Sequence, residues 1–328
     1  MEDGLDFVRK DIDHDLCNYR VDQKELIDKS IEYGKMSDTP EITALNYIVL
    51  SLLHENIKNV EFELVFTIPR RTNVTITLPI IEQDLKDPLG YYVCWGDKTK
   101  QTHNVASHTY LWSNEIKKYT VKFFGLGIKA FSFYGGPLDS YIEYLTDVIS
   151  FGKLGHIFTS LSYAFRFCKN ITIPDYLPSN ITNLSGMFIA SYYFNRSINN
   201  WDVSRVTNME GLFNACMVFN QPLDKWNVSN VINMKNMFAI CPTFNQPLNN
   251  WNVSNVTNME KMFLGCTFNQ PLDNWDVSNV INMKEMFHGP GFNQPINNWN
   301  VSNVINNTNM FEISDIEEAN KPIFRIIN

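Results

Sequence analysis

Residues 251–275 read WNVSNVTNMEKMFLGCTFNQPLDNW, and at Trp275 the same pattern begins again. Trp201, Trp226, Trp251, Trp275 and Trp299 head five such copies, spaced 25, 25, 24 and 24 residues apart. Each copy follows W-[DN]-V-S-x-V-[TI]-N-M-x-x-[ML]-F, a short variable stretch, and F-N-Q-P-[LI]-[DN]. Two degenerate copies precede them, one from Ile181 to Asn195 and one around Leu161–Phe165 and Cys168. A fixed period in this range is the signature of stacked units, because one copy cannot bury its own apolar face. The expectation is a solenoid of about seven coils of 24–25 residues over 136–311, with a cap or tail at 312–328.

Within a copy, Val203, Val206, Met209, Leu212 and Phe213 show the 3-and-4 spacing of one helix face. Trp201, Trp226, Trp251, Trp275 and Trp299, with Phe213, Phe238, Phe263 and Phe287, are expected in the core. The recurring asparagines (Asn208, Asn233, Asn258, Asn282 and Asn220, Asn245, Asn269, Asn293) are expected to form amide ladders that satisfy tight-turn backbone. Glu210, Lys235, Glu260 and Lys284 alternate in sign at one position, and Thr207, Ile232, Thr257 and Ile281 alternate at another. Both read as a solvated ladder. Cys216, Cys241 and Cys266 fall at one repeat position and read as small buried hydrophobes. In the last copy Asn307 replaces the repeated methionine, and Asp315, Glu317 and Glu318 follow, which marks a polar cap.

This motif, as in Trp275-Asp276-Val277-Ser278-Asn279-Val280 with Phe268-Asn269-Gln270-Pro271-Leu272, resembles the BspA-type leucine-rich repeat family. That family includes DUF285-like repeats of mycoplasma surface proteins and giant viruses. The resemblance implies a leucine-rich solenoid serving adhesion or protein interaction. The Asn- and Ile-rich composition points to an AT-rich genome and, between the two sources, to a giant virus.

Residues 59–135 alternate with period two in Glu61–Phe66 and Val74–Leu78, the pattern of a β-sandwich. The turn Trp95-Gly96-Asp97-Lys98-Thr99, with His108-Thr109-Tyr110 and Tyr119-Thr120-Val121, resembles the PKD type of Ig-like domain. That resemblance implies a spacer or interaction module. Lys98 stands where the PKD pattern has a second glycine. Residues 1–58 have helix-like apolar spacing at 24–33 and 41–54. The run Pro40-Glu41-Ile42…Leu50…Leu53 echoes an F-box, the alternative reading being an adaptor that recruits targets to host machinery. The fold class expected is therefore α+β.

A net charge of −8 argues against a phosphate-tracking surface, so no nucleic-acid partner is expected. No signal-like or membrane-spanning run is present in the sequence, and a cytosolic location is expected. His14 and Cys17 lack a second close pair for zinc. No nucleophile elbow, metalloprotease helix or phosphate loop occurs. Neither an enzyme nor a cofactor is expected. Asp202 and Asp276 are Asn in other copies, which suits turns and not acid–base work. The positions that vary between copies are the better binding candidates. Asp224, Lys225, Asn249, Asn250, Asp273, Asn274, Asn297 and Asn298 would form a polar strip meeting a protein, or a glycan-bearing one.

Overall fold

A computed structural model describes residues 62–78, 80–82, 92–102, 107–111, 113–124, 128–131, 142, 144–152 and 159–324. Two architectures share one hydrophobic core. The first is built of strands: β1 (Phe62–Ile68), β2 (Val74–Thr77), β3 (Ile80–Glu82), β4 (Tyr92–Cys94), β5 (Lys100–Thr102), β6 (Ser107–Tyr110), β7 (Lys117–Phe124), β8 (Ile128–Phe131) and β9 (Leu145–Phe151). A five-stranded sheet runs β5-β4-β7-β1-β9, and β2-β6 and β3-β8 form separate pairs. All these pairings are antiparallel. In β2 the alternation is clean, with Val74 and Ile76 buried and Thr75 exposed. In β1 it is not, because β1 is paired on both sides, with β7 and β9, and its register against β9 shifts at Glu63/Leu64 and Val65/Phe66. Phe62 anchors the sheet core, its ring 4.7 Å from Phe123 and 5.0 Å from Phe131.

The second architecture is a stack of coils. Ser160, Asn183, Asn208, Asn233, Asn258, Asn282 and Asn306 form successive rungs, each joined to the next by a single parallel bridge. Through Met209–Cys216 the backbone N–H groups alternate in direction. Those of Met209, Gly211, Phe213 and Ala215 donate to Asn233, Lys235, Met237 and Ala239 carbonyls of the next coil, at 2.7–3.0 Å. Those of Leu212, Asn214 and Cys216 close i→i+3 turns onto Met209, Gly211 and Phe213. A turn of this kind with a left-handed third residue is type II-like. The left-handed residues recur at matching places, among them Gly186, Gly211, Asn236, Lys261, Glu285 and Asn309.

The α+β expectation is overturned here. Among the described residues there is no α-helix; the helical pieces are a three-residue 3-10 turn at Glu318–Asn320 and 3-10 geometry at Ile142 and Tyr144. Nor do the repeats build the expected leucine-rich-repeat solenoid, which pairs a strand with a helix or 3-10 segment in each repeat. Between 160 and 317 each coil has a lone bridge followed by turns. The physical reason lies in the turns: an i→i+3 turn gives the same three-residue spacing as a helix face, so Val203, Val206, Met209 and Leu212 are all buried without a helix. The helical segment expected at 1–58, and the F-box echo within it, lie outside the described residues.

Side chains make the stack regular. Phe188, Phe213, Phe238, Phe263, Phe287 and Phe311 form one ring column with centroids 5.6–6.1 Å apart. Phe194, Phe219, Phe244, Phe268 and Phe292 form a second at 5.8–6.4 Å. The five repeat tryptophans are no more than 5% exposed. Each indole N–H donates to a carbonyl of the preceding coil, as Trp251 does to Leu223 at 3.1 Å. Cys216 and Cys241 donate across coils to Phe188 and Phe213 carbonyls, and burial pushes the Cys266 thiol up to about 12. These thiols are therefore packing groups, uncharged at neutral pH.

At the amino-terminal end the stack is joined to the sheet. Thr172 of the first coil exchanges backbone hydrogen bonds with Val148 and Thr146 on β9, at 2.9 and 3.1 Å. Phe151 and Phe131 pack against Phe165 of the same coil.

Candidate functional site

The corners of the coils explain why Asp and Asn interchange. Asp202, Asn227, Asn252, Asp276 and Asn300 each accept, through Oδ1, the N–H two residues on, at 3.0–3.2 Å. Hydrogen bonds from Ser204 and Ser278 hold the Asp202 and Asp276 carboxyls below their ordinary value. The two asparagine sets do different work. Asn208, Asn233, Asn258 and Asn282 bond their own coil, two residues ahead. The F-N-Q-P asparagines bond between coils, Asn245 Oδ1 for example accepting from Asn269 N–H at 2.9 Å. The Gln of the following copy adds a second donor to Asn195, Asn220, Asn245 and Asn269, and the Asn320 amide does so for Asn293.

Three sets of outward positions remain. The first is the polar strip at 224/225, 249/250, 273/274 and 297/298. Seven of its eight residues are exposed and Asn249 is half-buried. The structure brings them into register and lets them bond along the stack. Asn199 donates to Asp224 at 2.8 Å, Lys225 Nζ to Asn200 at 3.1 Å, Asn249 to Asp273 at 3.0 Å, and Asn298 to the Asp273 carbonyl at 2.8 Å. Asn297 instead donates to the Ala319 carbonyl of the tail.

The second is the charged column. Lys235 pairs with Glu260 at 3.2 Å, while Glu210 and Glu260 accept from Asn233 and Asn282 amides. Glu285 meets both Lys261 and Lys284 at 3.4 Å. Burial acts to raise the Glu285 carboxyl, but the two lysines outweigh it and hold it below the usual range.

The third set lines a shallow groove along the stack. One wall is the column Arg205, Asn230, Asn255, Asn279 and Asn303, and the other is Thr182, Thr207, Ile232, Thr257, Ile281 and Ile305. From Asn230 onward each wall asparagine donates to a Ser carbonyl of the preceding coil, at 2.6–2.7 Å, which fixes its amide in place. Ile232, Ile281 and Ile305 are 49%, 44% and 71% exposed, and apolar side chains repeated along one concave strip are unusual on a surface without a partner. Sequence reasoning saw the Thr/Ile alternation but read it with the charges. The available signal was that a solvated column has no need of isoleucine.

In the sheet region the residues of the Trp95–Thr99 turn and the 108–110 triplet do meet. Asp97 bonds His108 Nε2 at 2.8 Å and accepts from Thr99, the Trp95 and His108 rings stack at 5.2 Å, and Tyr110 donates to the Trp95 carbonyl. Burial acts to raise the Asp97 carboxyl, and the Thr99 and His108 hydrogen bonds outweigh it, so it lies below its ordinary value. Among the described residues no cluster of metal-ligating side chains occurs. No helix among them is long and apolar enough to cross a membrane.

A family model described as mycoplasma protein of unknown function, DUF285, matches residues 159–267 and again 248–324. The chain belongs to the DUF285 family. The match covers the whole coil stack and stops short of the sheet, and no family model supports the PKD resemblance there. No curated protein and no solved structure matches the chain significantly. DUF285 membership makes this a repeat protein.

Proposed function

We propose that the coil stack is a binding module, not a catalyst, and that it engages a protein partner along its outer surface. The groove is the principal contact and the 224–298 strip a second, polar one. The observation that carries this reading is the exposed Ile232–Ile281–Ile305 column, set opposite amides already fixed by their own hydrogen bonds. Such a surface offers apolar area and oriented acceptors at each coil, with little ordering cost on binding. Its near-neutral lining suits a partner surface that is itself uncharged, with glycans on that partner as an added contact.

The test compares the full chain with I232E/I281E and with D224K/K225E, after thermal melts show that the variants fold. Proteins captured on each are compared by quantitative mass spectrometry. A partner lost with the groove variant supports the reading, and one weakened only with the strip variant moves the contact to the strip. Capture that is the same for the full chain and both variants contradicts it.

A further inference from the structure

The two ends of the stack differ chemically. Over the turn segment, every coil turns a row of backbone N–H groups toward the carboxyl-terminal side and a row of carbonyls toward the other; just before it the direction reverses at one carbonyl, as where Thr207 and Asn208 N–H donate back to Thr182. Met283, Glu285, Phe287 and Gly289 donate to Asn306, Thr308, Met310 and Glu312 carbonyls at 2.8–3.0 Å. In the last coil the equivalent residues are Asn307, Asn309, Phe311 and Ile313, and among the described residues their N–H groups meet no acceptor. The described part of the tail makes no hydrogen bond to them, although Lys321 lies over the Phe311 ring, 5.6 Å from its centroid. The tail closes the other half of the coil, through Glu317 N–H to Asn293, Asp315 to Gly291 N–H and Ile296 N–H to the Asn320 carbonyl. Ile305 and Ile313 are 71% and 70% exposed beside the open row.

We propose that this terminal rung is a docking edge for a further coil of the same repeat type, supplied by a different chain. Three features select that partner. An ordinary strand edge carries N–H and C=O groups together, so against this row half of its contacts would be donor to donor. Two copies meeting tail to tail would bring four donors against four donors, with the Ile305 carbonyl as the one backbone acceptor beside them. An oxyanion is disfavoured by the exposed Glu312, Asp315, Glu317 and Glu318 around the row. A row of carbonyls with apolar side chains behind it is what every interior coil presents, and the contact has already formed six times between the rungs of this chain. The first coil of a second copy is not that partner, because β9 is bonded to it. Ile305 also ends one wall of the groove, but the four N–H groups of the edge belong to neither groove nor strip, and the test reads those amides.

The test uses the full chain and a synthetic peptide copying residues 255–279, an interior coil. The peptide should bind saturably at one per chain. On binding, amide exchange should slow at least about tenfold at Asn307, Asn309, Phe311 and Ile313, the amides it would bond. Ile313→Asp, at an exposed left-handed position that Asp tolerates, should weaken binding at least about tenfold without changing the melt. A scrambled peptide should not bind, and the chain alone should sediment as a monomer. The proposal is overturned if the peptide fails to bind, if it binds with those four amides unprotected, if the scrambled peptide binds equally, or if intact copies polymerise through that row.

Discussion

The sheet and the coil stack reach the same density of buried aromatics by opposite routes. In the sheet, strands of up to eight residues pair along their length, and each stabilising contact occurs once, as in the corner of Trp95, Asp97, His108 and Tyr110. In the stack, adjacent coils share one bridge, and order comes from repeating the same bonds every 24–25 residues. A defect in the sheet should be idiosyncratic. A defect in an interior coil should cost about the same wherever it is placed, because each coil contacts only its neighbours.

The largest expected effect tests that equality. Phe238→Ala and Phe263→Ala should each cost about 3–5 kcal/mol in denaturant melts, as for a fully buried aromatic. The two should agree with each other, while Phe311→Ala, half-buried with one coil beside it, should cost clearly less. Unequal interior values would break the comparison.

Next comes the sheet corner. Asp97→Ala should cost about 1–3 kcal/mol by leaving its partners unsatisfied. Because the folded carboxyl lies below its unfolded value, its contribution is present above pH 3.8 and is lost as the pH falls through the folded value. Asp97→Asn should therefore flatten part of the acid limb of a stability–pH curve. Repeat-position Asp276→Asn should preserve the melt, since Asn fills that turn in other copies.

A smaller effect concerns a left-handed position. A Cβ at Gly186 would overlap the ring of Tyr163 in the coil before it, whereas one at Gly211 would meet only Asn214 Cβ at 3.8 Å, an ordinary contact. Gly186→Ala should thus destabilise by more than Gly211→Ala, and Tyr163→Ala should remove most of the difference in a double-mutant cycle. Smallest of all, Lys225→Ala should stay within about 0.5 kcal/mol, its ammonium being an exposed surface contact.

Much of the interior was legible because a buried position recurs as the same residue. Trp201 through Trp299 and Phe213 through Phe287 declare themselves by register alone, and all are buried. What the recurrence could not tell was the backbone that carries it. Turns and helices share a three-residue spacing, and the left-handed residues here include Tyr163, Lys261 and Glu285, types that do not advertise that conformation. β3, β5 and β8 span three or four residues each, too few for alternation to mark. The groove was half visible, as a Thr/Ile alternation without a stated face. The open N–H row at Asn307–Ile313 was invisible, because a backbone donor has no letter in the sequence.

Amide hydrogen exchange, resolved residue by residue on the intact chain, tests the stacking most directly. The account predicts that Met234, Asn236, Phe238 and Ile240, bonded to the next coil at 2.7–2.9 Å, exchange among the slowest amides of the protein. Asn307, Asn309, Phe311 and Ile313, at the same places in the last coil, should exchange at rates near those of an unfolded chain. Equal protection of the two sets, or rapid exchange of the interior one, would contradict coils held together rung upon rung.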